Sequence, residues 1–255
     1  MVFRPFVNCQ ALAGPTGAFK QCAGRLGRAI LLIAPALCAA ANAQPADHPP
    51  DTMQARLLAC AACHGPQGQG TNNDYFPRLA GKPAGYLLHQ LVAFRDGRRR
   101  YPPMNYLLQY QSDDYLRDIA AYFAALRPPS VPQPLADVSQ AVLAHGQALV
   151  TEGDAAHGVP ACVRCHGPAL TGAEPAIPGL VGLHASYISA QLGAWRYGTR
   201  TAIAPDCMQT VASRLTEGDV TAIAAWLASL PVPPDPSPVA QSTLSMPLKC
   251  GSEPD

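Results

Sequence analysis

Apolar residues recur at helical spacing in stretches that mirror one another along the chain. Leu116, Ile119, Ala120 and Phe123 stand at i, i+3, i+4 and i+7 behind a Ser112 cap. Val220, Ile223, Ala224 and Leu227 repeat that spacing behind Thr216. Two further helices are predicted over residues 83–95 and 184–196. A fifth and a sixth open near Asp51, and near Asp137 or Ser139, and run toward Cys60 and Cys162. No useful length of alternating strand pattern is present, so the expected fold is all-α. Between the two halves, Pro128-Pro129-Ser130-Val131-Pro132-Gln133-Pro134 is too proline-rich for a helix and reads as a stiff linker. Residues 233–255, rich in Pro and Ser, read as an irregular tail.

One apolar run lies outside this scheme. Residues 29–37 follow Arg25 and Arg28 and lead to Ala41-Asn42-Ala43. A basic start, a short apolar core and an A-x-A end form a secretory signal, with cleavage expected after Ala43. The run is short and broken by Pro35, which suits a signal better than a retained membrane anchor. The protein is therefore expected outside the cytoplasm, in the periplasm.

The mirrored helices belong to an internal duplication. Pro77, Leu79, Gly81, Tyr86, Gln90-Leu91, Phe94-Arg95 and Gly97 recur as Pro178, Leu180, Gly182, Tyr187, Gln191-Leu192, Trp195-Arg196 and Gly198, all at an offset of 101. Beyond a small insertion the offset becomes 104, pairing Met104 with Met208 and Ser112 with Thr216.

Charge narrows the function. The whole chain carries +1, but residues 1–43 hold four basic residues and no acid, which leaves the rest at −3. That balance excludes a nucleic-acid binder on the usual electrostatic footprint.

The cysteines carry the chemistry. Cys60-Ala61-Ala62-Cys63-His64 and Cys162-Val163-Arg164-Cys165-His166 are two copies of C-x-x-C-H, the attachment signature of c-type haem. Two thiols one helical turn apart add across the porphyrin vinyl groups, and the next residue presents an imidazole to the iron. A thioredoxin-like dithiol would need a βαβ context that is missing, and a four-Cys zinc site needs neither histidine.

A thioether is the usual sixth ligand of low-spin cytochromes c. Met104 lies 44 residues after Cys60 and Met208 lies 46 after Cys162, each in a loop 8 residues before its module's last cap. They are the expected axial partners of His64 and His166, whereas Met53 and Met246 have no repeat mates. Arg99 matches Arg200 across the repeat, and the pair are candidate partners for haem propionates. The histidines His89, His145, His157 and His184 fall at unmatched positions and read as solvated or locally bonded. Cys207 and Cys250 remain, with pairing or free thiols both open.

Together these residues resemble the bacterial two-haem class I cytochromes c of the cytochrome c₄ type. The likeness spans residues 51–231 and rests on the two haem motifs, Gly153-Asp154-Ala155-Ala156, the Leu-Ala-Gly stretch at Leu79, Phe94-Arg95-Asp96-Gly97 and the two Met positions. It implies two tandem class I cytochrome c domains, each wrapped around one covalently attached haem c with its iron. It also implies that the carbonyls of Pro77 and Pro178 orient His64 and His166.

The expected organisation is a signal over 1–43, a first domain over 44–128, a linker over 129–136, a second domain over 137–232 and the tail over 233–255. With both axial positions filled there is no open site for substrate, so the expected role is electron transfer rather than catalysis. Four ionised propionates would take the mature charge from −3 to roughly −7, which favours basic or apolar docking patches. The resemblance suggests a quinol-oxidising complex or a dehydrogenase as donor and a terminal oxidase as acceptor, with the protein a monomer that meets membranes only through partners. Two alternatives remain: a fixed cytochrome subunit of a periplasmic dehydrogenase, and a haem enzyme with one open iron site.

Overall fold

A computed structural model describes residues 50–253 of the 255-residue chain. The export signal expected over residues 1–43 lies outside the described residues.

Ten helices are described. In the first module α1 spans Met53–Arg56, α2 Leu58–His64, α3 Ala84–Arg95, α4 Pro102–Leu108 and α5 Asp113–Ala125. In the second module α6 spans Gln140–Thr151, α7 Val163–His166, α8 Ala185–Arg196, α9 Cys207–Ala212 and α10 Glu217–Ser229. The caps sit close to their predicted places. Ser112 and Ser139 each accept the backbone N–H of the residue three positions on, and Thr216 and Asp219 form a reciprocal capping box. At the first helix the cap is Thr52, because Asp51 is engaged by Arg56 at 2.6 Å.

Two details differ from the sequence-based expectation. Met104 and Met208 stand on the short helices α4 and α9 rather than in loops. Pro102 and Pro103 favour helix there, since a proline in the first turn gives up an N–H that would have no partner anyway. The helix leading to the second haem motif is also interrupted, because Gly153–Asp154 (β1) and Val159–Pro160 (β2) form an antiparallel pair between α6 and α7.

Each module has its own apolar core. Leu87, Phe94, Leu108, Leu116, Ile119 and Phe123 fill the first, where α3 lies between α4 and α5. Leu149, Val150, Leu192, Ile223 and Leu227 fill the second, where α10 packs on both α6 and α8. Residues 127–139 between the modules contain no helix or strand.

The tail is more regular than its composition suggests. Gly172–Glu174 (β3) pairs antiparallel with Ile177–Pro178 (β4) and parallel with Val239–Ala240 (β5), so the tail adds the outer strand. A 3₁₀ turn over Gln241–Thr243 follows, and a disulfide joins Cys250 to Cys207. Among the described residues no helix is long and apolar enough to cross a membrane.

Candidate haem sites

The helix α2 carries Cys60, Cys63 and His64 on consecutive turns, and the fold brings them to one cavity with Phe76, Pro77, Tyr101 and Met104. The second cavity collects Cys162, Cys165, His166, Pro178 and Met208 in the same way. None of the four motif cysteines is in a disulfide, so all four are available to a prosthetic group. Burial raises the Cys60 and Cys165 thiols above the usual range and pushes Cys162 up to about 12, the neighbouring Cys165 adding to it. Before haem is attached, such thiols stay protonated and uncharged in an apolar wall.

The two histidines are set up alike. His64 Nδ1 donates to the Pro77 carbonyl at 2.8 Å, and His166 Nδ1 donates to the Pro178 carbonyl at 2.8 Å. A carbonyl only accepts, so the proton resides on Nδ1 and the Nε2 lone pair is left for another partner. Burial holds both imidazoles below their usual pKa, reinforced by Arg99 at the first and by Lys82 at the second. Neutral, orientated imidazole with a free Nε2 is the form that binds a metal.

Arg99 and Arg200 come together at the seam between the modules. They form an isolated antiparallel bridge and are 8% and 3% exposed. Arg99 donates to Gln90 of its own module at 2.9 Å, and to Tyr187 and Gln191 of the other at 2.8 Å each. Arg200 reciprocates, reaching Gln191 at 2.7 Å and Gln90 at 2.6 Å. Each guanidinium also lies on an aromatic of its own module, Arg99 at 4.5 Å from the Phe94 ring centre and Arg200 at 3.7 Å from Trp195. Every member has its mate at the 101-residue offset, so the seam is a local pseudo-twofold axis. Lys82 crosses the same seam to donate to the Gly179 carbonyl at 2.8 Å, and burial lowers it to about 8.

No carboxylate pairs with Arg99 or Arg200 among the described residues. Burial, then repulsion from Arg99, pulls Arg200 down to about 10, which still leaves it cationic at neutral pH. Two buried guanidiniums without an anion are costly, and Arg99, Arg200, Tyr86 and Tyr187 line the cavities. The surroundings therefore fit an anionic, flat, apolar group with reactive vinyls and a metal centre. Paired thiols with an orientated imidazole are the donor set that covalent c-type haem needs, and a thioether and two guanidiniums close by are compatible with it.

The duplication already matched Tyr86 with Tyr187 and Gln90 with Gln191, but nothing in their residue types announced a role at a seam. His184 departs from the solvated or local reading: it is 6% exposed and bonds Thr71 of the first module at 3.1 Å. It also faces Asp74, which Ser186 binds at 2.6 Å.

Two tandem helical domains, each with a thiol-pair, imidazole and thioether set around an apolar cavity, define a class of proteins that carry covalent haem. The cytochrome c family model matches residues 54–126 and 143–231, and the chain belongs to the cytochrome c family. A cytochrome c₄ of Pseudomonas aeruginosa is 40% identical over 179 residues, covering 69% of this chain and 86% of the relative. A thiosulfate dehydrogenase electron acceptor of Thiomonas intermedia is 39% identical over 206 residues, covering 81% and 92%. The solved structure of reduced recombinant cytochrome c₄ from Pseudomonas stutzeri is 33% identical with a TM-score of 0.60, over 69% of this chain and 96% of that one. The thiosulfate dehydrogenase TsdBA from Marichromatium purpuratum is 38% identical with a TM-score of 0.62 over 68% of this chain, which spans only 36% of that longer protein. This chain is accordingly a di-haem electron-transfer cytochrome with two covalently bound haem c groups.

Proposed function

We propose that the protein is a periplasmic electron carrier that takes electrons from a dehydrogenase or quinol-oxidising complex and passes them to a terminal acceptor such as an oxidase, with no turnover of its own. In this reading Cys60 and Cys63 hold one haem and Cys162 and Cys165 the other. His64 with Met104, and His166 with Met208, are the axial pairs, orientated by Pro77 and Pro178. Arg99 and Arg200 neutralise propionates at the seam. When bound, each haem supplies a one-electron ferric–ferrous couple, and six-coordination by protein leaves no open position for substrate. The chain's own part is to hold the ligands rigidly, keep the cavities apolar and place two positive charges between them.

The observation that carries this reading is the convergence, in each cavity, of a haem motif and a repeat-matched methionine. Haem content per chain and the ferric Met-to-iron charge-transfer band test it. Two haems are expected, with half of the band lost in Met104→Ala and half in Met208→Ala. Carbon monoxide binding to the reduced wild-type protein would refute six-coordination at both irons.

The likeness to a thiosulfate dehydrogenase electron acceptor supports a thiosulfate-oxidising enzyme as donor, and the likeness to part of a longer dehydrogenase chain supports a second reading as its fixed subunit. Purification from periplasm as a free monomer, reducible by catalytic amounts of such an enzyme with thiosulfate, would favour the carrier.

A further inference from the structure

The two modules differ most in what lies over the helix bearing the methionine. In the first module this helix, α4, is open: Tyr106 is 77% exposed, and Tyr110, just beyond the helix end, 88%. In the second, the chain's own tail lies beside α9. From Leu244 to Cys250 the tail alternates, with Leu244, Met246, Leu248 and Cys250 half-buried and Ser245, Pro247 and Lys249 exposed. That is the pattern of an extended segment with one apolar face. Met246, Leu248, Cys250 and Glu253 line the second cavity, and the first cavity has no such lining.

The tail is fastened on both sides of that cavity. On the haem-motif side, Arg164, between the two cysteines of the motif, donates to the Ser245 carbonyl at 3.3 Å. The first motif has Ala62 at that place and offers no such anchor. On the methionine side the disulfide ties Cys250 to Cys207, the residue directly before Met208. There Gly251 donates its N–H to the Pro205 carbonyl at 2.9 Å, and its backbone runs so close to Ala204 that a Cβ would stand 2.1 Å from the carbonyl oxygen. Upstream, β5 anchors the tail to β3.

We infer that residues 239–253 form a disulfide-anchored strap that closes the Met208 side of the second cavity, so that ligands from solution reach the first iron more readily than the second. This rests on the proposed haem sites, with Met208 as the ligand that the strap shields. An extended strap with only short strand pairing and few backbone bonds opens locally at low cost unless it is tethered. The disulfide supplies the tether by removing most of the open arrangements.

Imidazole binding to the ferric di-haem protein tests the inference, followed by loss of the charge-transfer band and assigned haem by haem through the axial Met methyl signals. Cys207→Ser with Cys250→Ser unties the strap and leaves no thiol beside Met208. Met246→Ser with Leu248→Ser keeps the disulfide and removes the apolar face. Both variants should speed imidazole binding at the second haem by about tenfold or more, through a larger open fraction, and leave the first haem unchanged. Equal acceleration at both haems, or none at the second in either variant, would overturn the strap. Wild-type protein lacking two Met signals would instead refute the haem-site assignment.

Discussion

The seam between the modules turns on two residues whose side chains would be misplaced in any other context. Arg99 and Arg200 are buried, close to each other and without a carboxylate, and each has its charge spread over amides, a phenol or an aromatic face. A cation near a haem favours the ferrous state, because reduction removes one positive charge from the iron. Removing one cation should therefore lower the reduction potential. At an effective dielectric of about 20, a unit charge about 8–15 Å from a redox centre contributes about 1–2 kcal/mol, or roughly 40–90 mV for one electron. Arg200→Leu is thus expected to lower at least one of the two potentials in a redox titration. An unchanged pair of potentials would mean that these guanidiniums do not face the propionates. At this scale the paired thiols and the following imidazole were legible in the sequence because their chemistry comes with a spacing, and Met104 and Met208 stood out only as matched repeat positions that the fold brings to the same cavities. The glutamines and tyrosines of the seam were visible only as repeats, since an amide or phenol has no spacing that betrays a partner in another module. His184 was illegible for a related reason: an unmatched histidine has no signature for a contact 113 residues away.

Among the elements, the paired helices were legible through apolar periodicity and caps, whereas α4 and α9 were not. Six or seven residues, opening on two prolines in α4, hold too few apolar positions to show a helical period. The tail was obscured by its prolines, although the alternation from Leu244 to Cys250 was present. Its strand partner is three residues long and 66 residues upstream in register, so no local pattern could foretell the pairing. Two predictions belong here. At the α6–α10 crossing a Cβ on Gly146 would stand 2.1 Å from the Ala222 carbonyl oxygen, an unyielding backbone contact. Gly146→Ala should cost about 1–3 kcal/mol despite its better helix propensity, seen as a lowered Tm of the holoprotein. The second concerns Glu253, whose two carboxyl oxygens have no partner among the described residues and whose pKa burial pushes up to about 7. A carboxyl raised on docking binds more protons docked than free. Strap docking is therefore strongest below the free carboxyl value of 4.5 and weakens as pH rises to about 7. Hydrogen-exchange protection of residues 244–253, corrected for intrinsic rates, should fall across that interval. Glu253→Gln should flatten the dependence.

Over the whole molecule, the charge of −3 from residue 44 onward conceals a strong asymmetry. Residues 50–127 hold nine basic and six acidic residues, a net +3, while residues 128–253 hold five and nine, a net −4. Two ionised propionates per module would make these roughly +1 and −6. The first module thus combines the more positive surroundings with an open methionine helix, and the second combines the more negative with the strap. A trianionic oxidant such as ferricyanide should therefore oxidise the first haem ahead of the second when mixed with the fully reduced protein at low ionic strength. Two effects contribute, and salt separates them. Electrostatic bias fades as the Debye length shrinks to about 10 Å at 0.1 M and about 3 Å at 1 M, whereas steric closure does not. In stopped flow the preference for the first haem should shrink with salt to a residual that persists at 1 M. That residual should vanish in Cys207→Ser with Cys250→Ser. A cationic oxidant reverses the electrostatic part and leaves the steric part. Its preference should accordingly move toward the first haem as salt is added, and a shift toward the second would contradict the strap and the charge asymmetry acting together.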